Sequence, residues 1–350
     1  MAGLVARYGD RMRIEGVDHP VSIEEGSTPL IPAPRLADAL GTPTTRLFLK
    51  FEGLNPTGSF KDRGMTAAIT DARAKGARTV ICASTGNTAA SAAAYAARAG
   101  MECLVLVPEG KVALGKLAGA IAYGAKVVTI RGSFDDGLRM VREAPDHAPV
   151  TVVNSVNPAR MEGQKTGAFE ICEELGDAPN WHCLPVGNAG NISAYWQGYC
   201  EQHAEGFVTK KPRILGVQAE GAAPIVRGHV VENPETVATA IRIGNPARWK
   251  QAEAARDESG GFITMVPDEE ILHWYRAVAR LEGVFCEPSC AAPLAGIARG
   301  VREGWLDLRD QSAVVVLTGH GMKDPDQAVA MPFEQHTIDA TMDALLKVMR

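Results

Sequence analysis

From about residue 77 the chain alternates between short apolar runs and longer mixed stretches. Thr-Val-Ile-Cys-Ala at 79–83 is apolar and partly β-branched, bounded by Gly76 and by polar residues from Ser84. This is the pattern of a buried parallel strand. An alanine-rich stretch at 88–98, closed by Gly100, predicts a helix with a glycine stop. The cycle repeats with a strand at 103–107, a helix at 113–123 stopped by Gly124, and a strand at 126–130. A helix at 134–143 capped by Ser133 and a strand at 150–153 complete the series. Strand–helix–strand units of this length form right-handed crossovers, so they predict a parallel sheet covered on both faces.

Beyond Asn154 the alternation is less regular. Helices are predicted at 164–175, 190–203, 267–282 and 291–304, and strands at 182–186, 213–217 and 313–317. Residues 222–265 mix proline, glycine and charge, and no element is assigned there. Neither a repeat of fixed period nor a flexible linker is visible. The expected fold class is therefore α/β: two open twisted sheets with helices on both faces, and a ligand site in the cleft between them.

Composition adds one clue. The 350 residues include 36 glycines, about 10% against roughly 7% in average usage. These glycines follow no period, so the excess points to tight turns and to backbone that approaches a ligand closely. Net charge is 36 − 41, or −5, without a basic run, which argues against nucleic acid as a partner. The most apolar window, 88–108, contains Arg98 and Glu102 and is too polar to span a membrane. Residues 1–15 have no apolar core of a signal peptide. Seven cysteines form no CxxC pair and no zinc-finger spacing, so no metal is expected and the thiols read as free, in a reducing cytoplasm.

Three glycine-containing turns lie where strands end, and they carry the candidate chemistry. Ser84, Thr85, Gly86, Asn87 and Thr88 precede the alanine-rich helix, where N–H groups and the dipole suit an anion, although ordinary capping is the simpler use. Gly187, Asn188, Ala189, Gly190 and Asn191 lie between a strand and a helix, and small residues there let backbone N–H groups converge on a phosphate. No Gly-Lys-Ser/Thr follows and no G-x-G-x-x-G is present, so neither a P-loop nor a dinucleotide site is indicated. The third turn follows the last strand. It offers Thr318, a neutral hydroxyl at a strand's carboxyl end, and His320, which reads as structural. A fourth segment, Asn-Pro-Thr-Gly-Ser-Phe-Lys-Asp-Arg-Gly at 55–64, holds Lys61 in a helix first turn that Ser59 can cap. The dipole disfavours a cation there, which suits a lysine used as a neutral amine. Phosphate turn, lysine and hydroxyl together suggest pyridoxal phosphate.

These residues resemble those of the fold-type II pyridoxal-phosphate enzymes, whose fold is tryptophan synthase β-like, and within them the short bacterial threonine synthases. The likeness runs in order through 25–30, 55–64, 83–91, 154–160, 185–196 and 317–325. The phosphate turn differs from the Gly-Thr-Gly-Gly-Thr of cysteine synthases and the Gly-Gly-Gly-Gly-Leu of serine/threonine dehydratases. The resemblance implies a smaller α/β domain at 52–153 and a larger one made of 1–51 plus 154–350, with the cofactor between them. It implies that Lys61 binds pyridoxal 5'-phosphate covalently and, once freed, acts as the base at Cα, with Thr88 as a second catalytic residue. Asn87 would bond the phenolic oxygen of the cofactor, and Gly187, Asn188, Ala189, Gly190, Asn191 and Ile192 its phosphate. Thr318 would face the pyridine nitrogen, making the ring a weaker electron sink than a carboxylate partner would.

The reaction implied is conversion of O-phospho-L-homoserine and water to L-threonine and phosphate. Ser84, Thr85 and Thr88 are the candidates for the substrate carboxylate. Lys116, Asn154, Ser155 and Arg160 are those for its phosphate, since a guanidinium grips phosphate with two parallel bonds. The family resemblance also implies a homodimer in the cytoplasm. Plant threonine synthases carry an N-terminal extension linked to S-adenosylmethionine activation; here the Thr-Pro-Leu motif starts at residue 28, so such activation is not expected. The alternatives are a serine/threonine dehydratase, which needs no second phosphate site, and a non-catalytic binding protein on the same fold.

Overall fold

Apolar runs too short for helices pair as strands and gather into two sheets. The computed structural model describes residues 2–110 and 114–349, with side chains described for these except at 114–116, 134 and 135. Four strands, β3 (Thr79–Ala83), β4 (Glu102–Pro108), β5 (Lys126–Ile130) and β6 (Val150–Val152), form an all-parallel sheet in the order β5-β4-β3-β6. Six others are β1 (Leu30–Pro32), β2 (Arg46–Phe51), β7 (Trp181–Pro185), β8 (Arg213–Ala219), β9 (Phe262–Val266) and β10 (Ser312–Leu317). They form a second sheet, β1-β2-β10-β7-β8-β9, parallel except for the edge pair β1–β2.

Both sheets are covered on both faces, which is why their strands read as unbroken apolar runs. In β10, Ala313, Val315 and Leu317 join one buried cluster with Leu49, Val217 and Leu294. Val314 and Val316 point the other way, into a cluster with Ile171, Leu184 and Ile214. Strand order locates the cleft. In the smaller sheet the chain moves outward from β3 and then returns to its other side; in the larger it does the same at β7 and β10. Open α/β sheets bind ligands beyond the carboxyl ends of strands at such reversals. Residues 84–88, 187–191 and 318–321 follow β3, β7 and β10.

Most predicted elements appear within a residue or two, and four departures have physical reasons. The helix expected at 164–175 is two, Pro158–Gln164 and Thr166–Leu175; Asn157 caps the first and Pro158 starts it early. The helix expected at 291–304 begins as a 3₁₀ turn, Pro288–Ala291, before Ala292–Glu303. Strand β2 escaped notice because Lys50 interrupts its apolar pattern, yet Lys50 is fully buried. The unassigned region 222–265 contains the helix Trp249–Ser259 and strand β9.

Lys50 belongs to a buried ionic cluster that ties strand β2 of the larger sheet to the helix Lys61–Ala74. Arg63 donates to both Glu52 oxygens at 2.6 and 2.8 Å and to both Glu170 oxygens at 2.9 and 2.6 Å. Lys50 Nζ donates to Glu170 at 2.8 Å and to the Thr28 carbonyl at 2.6 Å. Two cations thus meet two carboxylates, and the attraction holds Glu170 well below the usual carboxylate range in spite of its burial. The same helix touches Pro158–Gln164 backbone to backbone. A Cβ on Gly163 would lie 1.9 Å from the Arg63 carbonyl oxygen, so only glycine allows that approach.

Removing the guanidinium would leave Glu52 and Glu170 buried with too few donors. Arg63→Ala is expected to cost about 3–5 kcal/mol in denaturant unfolding. A loss below about 1 kcal/mol would contradict this role for the cluster.

Candidate active site

Lys61 is placed by a short antiparallel zip between two loops. Phe60 N–H donates to the Thr318 carbonyl at 3.0 Å, and His320 N–H to the Gly58 carbonyl at 2.9 Å. Lys61 is thereby fixed at the first position of its helix, next to the carboxyl end of β10. The cap position is Phe60, and Ser59 Oγ accepts from the Lys61 N–H, the first of the helix, at 3.4 Å. Asp62 organises the loop instead, accepting from Thr57 N–H, Thr57 Oγ1 and Ser91 Oγ at 2.7, 2.5 and 2.6 Å. Burial pushes the Asp62 carboxyl up to about 6. Burial and, next, the nearby Arg160 guanidinium push the Lys61 amine down to about 7, with Glu287 pulling the other way. Near neutral pH Lys61 therefore holds a large neutral fraction, the form that attacks a carbonyl.

Glu287 was not singled out in the sequence, yet three cleft residues converge on it. It is buried and accepts from Asn87 Nδ2 at 3.0 Å, Thr318 Oγ1 at 3.1 Å and Ser289 Oγ at 3.1 Å. A Cβ on Gly319 would lie 2.6 Å from its carboxyl carbon, so that glycine makes room for the carboxylate. Burial raises the Glu287 carboxyl above its usual range. The readable signal is a lone acid in an otherwise apolar run at 284–292, where an unpaired charge would be costly. Through Glu287, Asn87 and Thr318 are brought together from opposite sheets. His320 is structural: its Nδ1 accepts from Met322 N–H, and its ring stacks on Phe51.

The turn at 187–191 has the geometry of an anion cradle. Ala189 takes a left-handed conformation, φ 61°, unusual for a residue with a Cβ, just before the helix Gly190–Ala204. Gly187 lies so close to the loop at Ile241 that a Cβ would sit 2.9 Å from the Ile241 Cα. Asn188 donates to Ser155 Oγ at 2.7 Å and accepts from Ala247 N–H at 2.6 Å. Ile192 is buried beneath the turn in the core. Asn191 Nδ2 is buried without a partner among the described residues. An orphan donor on a strained turn at a helix start fits a phosphate and so fits pyridoxal phosphate.

On the other wall, Ser84, Thr85 and Thr88 are half-buried, and the helix Asn87–Ala99 starts without a side-chain cap. Its first N–H groups remain for a carboxylate. Asn154 spends its amide on Ala83, accepting from N–H at 3.1 Å and donating to the carbonyl at 2.9 Å, and so fixes the end of β3. Arg160 is buried, and among the described residues it bonds only the Val153 carbonyl and Gln164 Oε1 and its Nε has no partner. Lys116 lies outside the residues whose side chains are described.

A lysine poised to be neutral, a phosphate cradle and a hydroxyl–carboxylate pair at a strand end define a pyridoxal-phosphate site. In keeping with it, residues 21–319 match the sequence family described as "Pyridoxal-phosphate dependent enzyme", and the chain belongs to that family. Within it the chain falls among the threonine synthases. It is 56% identical to the threonine synthase of Mycobacterium leprae, over 93% of this chain and 90% of the other. It is 47% identical to that of Methanocaldococcus jannaschii, over 99% and 87%. Solved structures with the same fold include a threonine deaminase from Solanum lycopersicum, at 23% identity, TM-score 0.73 and 87% coverage of each chain. Another is a maize serine racemase, at 18% identity, TM-score 0.71 and coverage of 99% and 97%. The cofactor is pyridoxal phosphate, and the chain is a lyase of the threonine synthase type.

Lys61 loses its proton as pH rises through about 7. The rate at which apoprotein gains visible absorbance on adding pyridoxal phosphate is therefore expected to climb between about pH 6 and 8. A midpoint near that of a free lysine, roughly 10.4, would refute the depressed amine.

Proposed function

We propose that this enzyme converts O-phospho-L-homoserine and water to L-threonine and inorganic phosphate, in a cleft between residues 52–153 and the rest of the chain. The observation that supports the reading is a buried cation apart from the turn at 187–191: Arg160, near Lys61, bonds only neutral acceptors among the described residues and so is free to serve a second phosphate. A dehydratase acting on an unphosphorylated hydroxyl amino acid has no use for the second site.

When bound, pyridoxal phosphate supplies the electron sink that lets bonds next to the amino group ionise. The backbone of Gly187, Asn188, Ala189, Gly190 and Asn191, with the Asn191 amide above buried Ile192, holds its phosphate. Asn87 and Thr318 orient opposite edges of its ring. Glu287 steadies both and lets Thr318 present an oxygen rather than a charge. Lys61, neutral near pH 7, joins the cofactor and afterwards takes and returns the proton at Cα of the substrate. Ser84, Thr85, Thr88 and the first N–H groups of the helix Asn87–Ala99 bind the α-carboxylate. A Cβ proton is lost as the phosphate leaves Cγ, Ser155 and Arg160 receive that phosphate, Cγ gains a proton, and water adds its hydroxyl at Cβ. Asn154 acts by holding Ala83, and hence Ser84, in place.

The reading includes a cytoplasmic homodimer. Seven free thiols fit a reducing compartment, and exposed apolar side chains from Val329 to Met349 fit burial against a second copy. Sedimentation should give twice the chain mass, and a monomer at micromolar concentration would remove the dimer.

Incubation of holoenzyme with O-phospho-L-homoserine is expected to release phosphate and threonine in equal amounts. Phosphate without threonine would sink the reading. Arg160→Ala should raise KM for this substrate by about tenfold or more, the worth of one lost charge-assisted contact; unchanged kinetics would remove Arg160 from the site.

A further inference from the structure

The Arg160 side chain is 1% exposed and spends one N–H of each terminal nitrogen inside the fold, Nη1 on the Val153 carbonyl and Nη2 on Gln164. A second arginine stands nearby in the segment that sequence reasoning left unassigned. Arg248, just ahead of the helix Trp249–Ser259, is half-buried and donates from Nε to the Ser155 carbonyl at 3.0 Å. Its Nη1 and Nη2 have no partner among the described residues, and neither arginine has a carboxylate within ion-pair distance among them.

The surroundings fix where those nitrogens stand. Asn188 of the phosphate turn bonds Ser155 on one side and Ala247 on the other, and Arg248 closes the ring by returning to Ser155. Ser155 is therefore gripped from two directions, next to Asn154, which fixes the end of β3. Burial first, and the charge of Arg248 after it, bring Arg160 down to about 10, so the two guanidinium groups stand near enough to interact. Desolvation also lowers Arg248. Two partly desolvated cations without an anion are mutually repelled, and a dianion between them relieves the repulsion.

We propose that Arg248 is a substrate-binding, specificity-determining residue, held by Ser155 through Nε so that Nη1 and Nη2 grip the phosphate of a phosphorylated hydroxyl amino acid. The inference rests on the functional reading above and adds the residue that makes the second phosphate site accessible. It assigns Arg248 to the substrate's phosphate and not to the cofactor's, because the turn at 187–191 supplies backbone N–H groups, a helix start and the Asn191 amide for the latter.

The test is calorimetric titration of holoenzyme with inorganic phosphate, in the parent and in Arg248→Ala. Phosphate binding should weaken on the order of tenfold to a hundredfold in the variant, as for loss of a charge-assisted bidentate contact. The affinity of apoprotein for pyridoxal phosphate should stay within about threefold, and KM for O-phospho-L-homoserine should rise far more than kcat falls. Phosphate affinity within about threefold of the parent overturns the proposal. An equal loss of phosphate and cofactor affinity also overturns it, by moving Arg248 to the cofactor's phosphate. Arg248→Lys keeps the charge without the bond to Ser155, and covers the case of an alanine variant that fails to fold. It should bind phosphate more weakly than the parent, and parent-like binding overturns the bidentate grip. If the parent makes no threonine, the functional reading falls. If it does, and Arg248→Ala binds phosphate as the parent does, only this inference falls.

Discussion

The Arg63 guanidinium, gripped by Glu52 and Glu170, is the interaction on which the placement of the site depends. It lies two residues from Lys61, on the same helix, and links that helix to the end of β2 and to the helix Thr166–Leu175. A flexible lysine cannot be aimed from its own tip; it must be aimed from its Cα. The bidentate grip, the Gly163 contact and the zip between residues 58–60 and 318–320 fix that Cα from three sides. Buried ion clusters of this kind add little net stability against a well-packed apolar replacement; what this one contributes is geometry.

The cleft then has a simple electrostatic plan. Cations stand at Lys61, Arg160 and Arg248; the buried acid acting on Lys61 is Glu287, which Asn87, Thr318 and Ser289 satisfy with hydrogen bonds, and the one acting on Arg160 is Asp62. Lys61 is accordingly a weak base and Glu287 a weak acid. Both shifts come first from burial, and the bound anions must offset the charge that the arginines leave uncancelled.

Much of this was legible in the residues, and the limits are instructive. Strands with both faces buried announced themselves as apolar runs, and glycine stops marked helix ends, as Gly100 does at φ 69°. Lys61 stood out because it contradicts the helix dipole, and the turn at 187–191 because small residues between a strand and a helix let backbone N–H groups converge. By contrast β2 was hidden by Lys50, whose charge is met by Glu170, more than a hundred residues away. Glu287 and Arg248 were missed for the same reason: their meaning depends on partners, Asn87 and Ser155, that only the folded chain supplies. Asn154 was read as a ligand residue, whereas its amide is occupied with Ala83, a distinction that a residue type alone cannot carry.

The order of strands in the larger sheet bears on how the chain is made. The central strand β10 lies between β2 and β7 but is among the last segments to be synthesised, at 312–317 of 350 residues. Until it emerges, β2 and β7 have no common neighbour, and the two apolar clusters that β10 completes stay open. The smaller sheet, drawn from one continuous stretch, has no such wait. A ribosome-bound chain would carry one finished unit beside an unclosed slot with apolar walls, the kind of intermediate that aggregates or engages chaperones. Thr318 and the loop that positions Lys61 follow directly after that strand, so cofactor capture is tied to the final step of assembly.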